Sequence, residues 1–285
     1  MISVYRSAKG RTDIVTAYEA LLRQWPVPSE RLNIGTAFGN THIIRCGNPR
    51  GEPLMLRHGT SGNSATWMGD VARWAGRYRI LVVDIPGEPG LSADRRLKLS
   101  EGETTRWLSE VVTFFWAPVH LVGTSLGGWM ATRFTVDTPD SVSSLSLIAA
   151  SGFAPQRIGF LFKAAALSLL GDWGLERVLQ RVCYNAPLPP EAKRFCLLVS
   201  KHFIPVKEIV PVFSDAELSR LRESAVPVLY FGGKKDVMLR TPKSAQRISD
   251  CVPAREIHVR DTGHVIIGVA GEVADFLAGV TNPTC

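Results

Sequence analysis

The sequence predicts an α/β protein: a mostly parallel eight-stranded sheet flanked by helices, with a helical cap inserted late in the chain. Three observations predict it. Short β-branched apolar runs alternate with segments of helical periodicity along the 285 residues, the pattern of parallel strands joined by crossover helices. Several runs break at glycine or proline, as RYRILVVDIPG does at Pro86 and Gly87, the residues that punctuate strand ends. One long stretch, residues 152–223, carries no convincing strand yet lies between two strands, and it is too long for a plain crossover.

The elements follow in order. The opening segment, MISVYRSAKGRTDIVTAYEALLRQW, has no apolar signal core and reads as an amphipathic helix. Two weaker strands near 31–37 and 41–46 are expected to form an antiparallel edge. PLMLRHG (53–59) is a short apolar strand, followed by a helix at about 66–76. The strand at 77–87 leads to a helix over 101–116, and PVHLVG (118–123) to a helix over 126–137. SVSSLSLIAA (141–150) precedes the cap, which has Pro187, Pro189 and Pro190 in its middle. VPVLYFGG (226–233), a helix at 241–250, AREIHVRD (254–261) and a last helix near 265–279 complete the chain. The core is therefore expected to comprise residues 1–151 and 224–285, and the cap 152–223. Open α/β sheets bind ligands at their carboxyl ends, so a cap there would shape a pocket.

Composition narrows the function classes. The 45% hydrophobic and 21% charged residues are ordinary for a soluble globular chain. The net charge of +7 is scattered, with only short pairs such as Arg95-Arg96 and Lys234-Lys235. It reads as a solvated basic surface, which also allows attraction to anionic substrates or surfaces, rather than a nucleic-acid stripe. Five cysteines, Cys46, Cys183, Cys196, Cys251 and Cys285, are odd in number and irregular in spacing. They indicate neither a disulfide framework nor a zinc site, and free thiols in a reducing compartment are the default. The most apolar run, IGFLFKAAALSLL (158–170), is too short to span a bilayer and contains Lys163. A cytoplasmic monomer or homodimer is expected, without a membrane span or nucleic-acid partner.

The chemistry centres on HLVGTSLGGWM, residues 120–130, where three glycines crowd around Ser125. Ser125 falls where an apolar strand meets a helix. Gly123 and Gly127 avoid clashes that a Cβ would create in so tight a turn, and G-T-S-L-G fits a nucleophile elbow. A Walker loop needs Gly-Lys-Ser/Thr, which is absent, and a dinucleotide fingerprint needs other glycine spacing. A serine hydroxyl requires a base. Of six histidines, His264 in RDTGHVI follows the last strand at the sheet's carboxyl edge. His258 lies within that strand and His42 in an early one. His120 begins the strand leading to Ser125, at the far edge, and His202 is in the cap with a surface or packing role. The base needs an acid to hold its tautomer. Asp236, just past the strand VPVLYFGG, is the best placed. Asp261, three residues before His264, could instead cap the local turn. The position after the strand ending at Ala150 holds SGFAPQ and no carboxylate. Two backbone donors are needed for an oxyanion: the N–H of Leu126, after the serine, and that of Thr60 in the small-residue loop H-G-T-S-G. His58 is expected to hydrogen-bond within that loop rather than act as a base.

Taken together, H-G-T-S-G at 58–62, V-D-I-P-G-E-P-G-L-S at 83–92, G-T-S-L-G-G at 123–128, Asp236 after its strand and G-H at 263–264 resemble the α/β-hydrolase superfamily over essentially the full length. The order Ser, Asp, His is the superfamily's own. Q-W-P-V-P at 24–28 and the G-E-P-G-L-S loop are similar to a bacterial group of carboxylesterases. Arg57 departs from the pattern, since an apolar residue usually precedes H-G. It could be tolerated at the strand end, pair with a carboxylate, or face the pocket and bind an anionic group.

The resemblance implies hydrolysis of small to medium apolar carboxylic esters through an acyl-enzyme, with no metal or organic cofactor required. Ser125 instead of aspartate at the elbow sets aside haloalkane dehalogenases and epoxide hydrolases. Carbon–carbon bond hydrolases, thioesterases, lactonases and cofactor-free haloperoxidases share the triad, although Leu126 stands where perhydrolase-type oxidants often carry Met. A ligand-binding receptor on the same fold is the alternative of another class, because fold does not fix function. The cap's Phe153, Phe160, Phe162 and Trp173 could line an apolar pocket, with packing accounting for most of them. Trp67 and Trp129, near the site motifs, are expected to pack.

Overall fold

The computed structural model describes residues 4–205, 208–252 and 255–281. The first three residues of the expected N-terminal helix segment, Val206 and Lys207 of the expected cap, Ala254 of the last expected strand, and Cys285 lie outside the described residues.

Helix α1 (Ala8–Leu22) starts where the Ser7 side chain accepts a hydrogen bond from the Gly10 amide, and it buries Ile14, Tyr18 and Leu22 at four-residue spacing. Strands β1 (Ser29–Thr36), β2 (Gly39–Gly47), β3 (Glu52–Arg57) and β4 (Tyr78–Val83) follow, with the short helix α2 (Val71–Trp74) before β4. Helix α3 (Glu103–Val112), strand β5 (Val119–Thr124), helix α4 (Leu126–Asp137) and strand β6 (Val142–Ile148) make the middle. After four helices, α5 (Ile158–Ser168), α6 (Gly171–Cys183), α7 (Pro190–His202) and α8 (Asp215–Glu223), the chain closes with β7 (Val228–Gly233), α9 (Thr241–Cys251), β8 (Arg255–Arg260) and α10 (Ala270–Thr281).

The eight strands form one sheet in the order β1-β2-β4-β3-β5-β6-β7-β8. β2 runs antiparallel to β1 and β4, and every other pair is parallel, so the two early strands do form the antiparallel edge. The parallel centre reads as continuous apolar runs because both faces are covered. Leu121 of β5 packs with Trp107, Trp129 and Phe134 of α3 and α4 on one face. Its neighbour Val122 packs with Ile14, Trp74 and Leu277 of α1, α2 and α10 on the other.

Three expected helices change. The helix at 66–76 splits into a 3₁₀ turn, Ser64–Trp67, and α2, with Gly69, a poor helix former, between them. The helix at 101–116 contracts to α3. The last helix begins at Ala270 rather than 265, because the amides of His264 and Val265 are turned toward the Val182 carbonyl, at 2.8 and 3.4 Å.

Between β6 and β7 the helices divide in their packing. α8 opens with a capping box, Ser214 and Glu217 bonding reciprocally, and buries Leu218 and Leu221 with the α3–α4 face. α7 lays Phe195 and Val199 into the cluster around α1, and His202 lies against Gly10 of α1. Of the four aromatics considered for a pocket, Phe153 and Phe160 are buried, whereas Phe162 and Trp173 face outward. Trp67 and Trp129 are fully buried, and Trp129 stacks on Phe213. Among the described residues no helix is long and apolar enough to cross a membrane, and Cys46, Cys183, Cys196 and Cys251 are unpaired thiols.

Candidate active site

Ser125 occupies the turn between β5 and α4 with φ 47° and ψ −110°, a conformation that costs on the order of 1–3 kcal/mol for a residue with a side chain. The surroundings hold it there. Its amide donates to the Ile148 carbonyl at 3.0 Å, and its carbonyl accepts from Trp129 and Ser151. The elbow glycines are required by close approach. A Cβ on Gly123 would lie 2.5 Å from the Gly127 carbonyl carbon, and one on Gly127 would lie 2.4 Å from the His58 carbonyl oxygen. β5, α4 and the loop after β3 therefore meet backbone to backbone. The same loop brings Gly59 against Ser125, since a Cβ there would be 3.0 Å from the Ser125 Cβ.

Asp236 and His264 come together across two loops. His264 Nδ1 lies 2.8 Å from one Asp236 carboxylate oxygen. The other oxygen accepts from the amides of Met238 (2.7 Å) and Leu239 (2.8 Å). Burial works against the ionised carboxylate, but the imidazole and the two amides outweigh it and hold the Asp236 acid below its ordinary range. With Nδ1–H donating to Asp236, His264 presents Nε2 as its acceptor. Ser125 Oγ itself makes no hydrogen bond among the described residues. Asp261, the alternative acid, is exposed. The loops carrying the pair are tied together through the bond from the Lys235 amide to the Thr262 carbonyl, 2.9 Å.

Thr60 and Leu126, the two expected oxyanion donors, lie in the loop after β3 and at the first position of α4. His58 is fully buried. Its Nδ1 donates to the Gly59 carbonyl (2.9 Å) and its Nε2 accepts from the Ile85 amide (2.9 Å). Both ring nitrogens are committed to holding the loop. Burial lowers its proton affinity further, leaving a neutral ring. His42 is engaged by Arg31 and Asp84. His120 bonds Ser144 at the opposite end of β5, and His258 stacks on Phe231.

Two carboxylates inside V-D-I-P-G-E-P-G-L-S have roles that the sequence reading left unassigned. Asp84 is fully buried and collects donors from Tyr18 Oη, the Ser64 amide and hydroxyl, the Leu91 amide and His42. Burial opposes its ionisation, yet those donors hold it far below the usual carboxylate range. It thereby joins the loops after β3 and β4. Glu88, also buried, accepts from the Ser61 amide at 2.6 Å, next to Thr60. Burial pushes its acid up to about 8, against the Ser61 amide and the Arg96 charge. With Arg96, Leu126 and Met130 it lines a small cavity of about 10 Å³, room for one water-sized group. The available signal was a carboxylate between Gly87 and Pro89 just past a strand end.

Arg57, the departure from the pattern, pairs with no carboxylate among the described residues. It is fully buried at the end of β3, and none of its guanidinium nitrogens has a hydrogen-bond partner among the described residues. Burial alone lowers its proton affinity to about 9.

Comparison with known proteins agrees with this architecture. The sequence is similar to carboxylesterase nap of Bacillus subtilis, with 31% identity over 87% of this chain and 85% of that protein. It is similar to carboxylesterase YbfK of the same organism, 28% identical over 88% of this chain and 86% of the relative. Among solved structures, B. subtilis naproxen esterase superposes with a TM-score of 0.85 at 26% identity, covering 97% of this chain and 100% of the other. B. subtilis CesB (YbfK) superposes at 0.84 and 27% identity, covering 95% and 99%. The sequence model described as the alpha/beta hydrolase family matches residues 54–276, which include the elbow, the buried acid and its histidine: the chain belongs to the alpha/beta hydrolase family.

Proposed function

We propose that this protein is a serine carboxylesterase in which Ser125, His264 and Asp236 are the catalytic triad and the amides of Thr60 and Leu126 form the oxyanion hole. The observation that carries the reading is the partly buried Asp236–His264 contact of 2.8 Å, on the same edge of the sheet as a serine held at φ 47°. The carboxylesterase relatives support ester hydrolysis as the reaction.

His264 Nε2 takes the proton of Ser125 Oγ as Oγ attacks the ester carbonyl carbon. Negative charge develops on the carbonyl oxygen and is met by the two amides, that of Leu126 reinforced by the N-terminus of α4. Asp236 stabilises the imidazolium. As the tetrahedral intermediate collapses, the C–O bond to the alcohol breaks and His264 returns its proton to the departing alkoxide. Water then repeats the sequence on the acyl-enzyme, releasing the carboxylic acid and restoring Ser125. Small to medium apolar esters are the substrates.

The test is turnover of p-nitrophenyl esters of increasing acyl length by the wild type and Ser125→Ala. The expected result is activity that vanishes in the variant with an unchanged melting temperature. A folded wild type that turns over none of the series, or a Ser125→Ala variant as active as wild type, overturns the reading.

A further inference from the structure

We infer that the α5–α6 hairpin is a docking surface for an anionic lipid–water interface. α5 packs through Phe160 alone among its fully buried residues, with Ala164 and Leu167 half-buried beside it. These lie at i, i+4 and i+7, one stripe of the helix. At about 100° per residue, the opposite face consists of Ile158, Phe162, Ala165, Ala166 and Leu169, every one apolar. A surface helix normally turns charged and polar residues outward, and here Lys163 and Ser168 stand only at the flanks. Phe162 is 73% exposed and Leu169 87%. Leu170 and Trp173, where α6 begins, extend the patch, with Trp173 56% exposed.

Charge decides what the patch meets. Residues 157–181 contain Arg157, Lys163, Arg177 and Arg181 against Asp172 and Glu176. Both acids are already matched by lysines of α7: Asp172 by Lys201 at 3.0 Å and Glu176 by Lys193 at 3.9 Å. Among the described residues neither Lys163 nor Arg181 has an ion-pair partner, and Arg177 lies over the Trp173 ring. An apolar face with an aromatic residue and a basic rim matches the chemistry of an anionic amphiphile surface. A second copy would bring the same unmatched cations to a shared seam, which like-charge repulsion disfavours. The other end of α6 touches the proposed site, because the Val182 carbonyl accepts from the His264 amide at 2.8 Å. A hairpin seated on a lipid surface would thus hold the proposed base one helix length away from it.

Docking does not depend on the esterase reading, and its test needs no turnover. Full-length protein is sedimented with vesicles of phosphatidylcholine alone and with phosphatidylglycerol added. Wild type is expected to pellet with the anionic vesicles and to be released by salt. The triple variant Phe162→Ser, Leu169→Ser, Trp173→Ser is expected to bind about tenfold less or weaker still, and Lys163→Glu to bind less in proportion to anionic lipid. Circular dichroism melting confirms that each variant is folded whether or not esters are turned over. Wild type that stays in the supernatant overturns the inference, as does a triple variant that pellets equally. A wild-type dimer in light scattering that the triple variant converts to monomer, without vesicle binding, assigns the face to a second copy and also overturns it.

Discussion

Replacing Glu88 by glutamine should remove a pH dependence of stability without removing the contact that holds the loop after β3. Glutamine offers the same carbonyl oxygen to the Ser61 amide, now 2.6 Å from Glu88 Oε2, but cannot ionise. In the folded protein the Glu88 acid is raised from 4.5 to about 8 by burial. An acid whose folded value exceeds its unfolded one holds its proton more tightly when folded. Its contribution to stability is intact below about pH 4.5 and is lost as the pH rises through about 8. At about 1.4 kcal/mol per pH unit the whole loss has an upper limit of about 5 kcal/mol, and about 3 kcal/mol of it falls between about pH 5 and pH 8. The assay is urea unfolding of wild type and Glu88→Gln at several pH values across that window. Other titrating groups are common to both proteins and cancel in the difference, so wild type should lose about 3 kcal/mol more than the variant. Parallel pH profiles would refute the reasoning, showing that Glu88 is already ionised when folded, with Arg96 as its effective counter-charge. Glu88→Ala, which strands the Ser61 amide, should cost about 1–3 kcal/mol more than Glu88→Gln below about pH 6.

Three further outcomes follow from the geometry. Asp236→Asn should lower kcat for p-nitrophenyl acetate on the order of 10³–10⁴-fold, because an amide no longer fixes the His264 tautomer; a loss of less than about tenfold would remove Asp236 from the triad. Gly127→Ala places a Cβ 2.4 Å from the His58 carbonyl oxygen, so it should shift the Leu126 amide, reduce kcat about tenfold or more and destabilise by about 1–3 kcal/mol, read by kinetics and thermal unfolding. Arg57→Met should raise stability by about 1–4 kcal/mol in chemical denaturation, since it replaces a buried charge that has no hydrogen-bond partner among the described residues by an apolar side chain; a lower midpoint would reveal a counter-charge that the guanidinium needs.

Much of the fold was legible because its signals are local. Strand runs such as LVV at 81–83 and LVG at 121–123 are β-branched and end at turn residues, so strand and crossover could be read directly. The serine turn was legible for the same reason: G-T-S-L-G marks a tight strand-to-helix turn, and Ser125, Asp236 and His264 lie past the ends of β5, β7 and β8. Helix lengths were less legible. Whether residues 265–269 coil depends on the Val182 carbonyl, which lies more than eighty positions away in sequence.

The sequence by itself determined the alternation that makes the sheet, the serine turn and the loop position of each expected triad member, since each is written within a few neighbouring residues. Tertiary structure decided the rest. It buried the Asp236 carboxylate against His264 and left Asp261 exposed. It set Glu88 on the Ser61 amide and enclosed Arg57 with no hydrogen-bond partner among the described residues. It also turned Phe160 inward and Phe162 outward on the same short helix. In each case the environment is set by segments distant in the chain, which exclude water around a residue whatever its own preference for exposure.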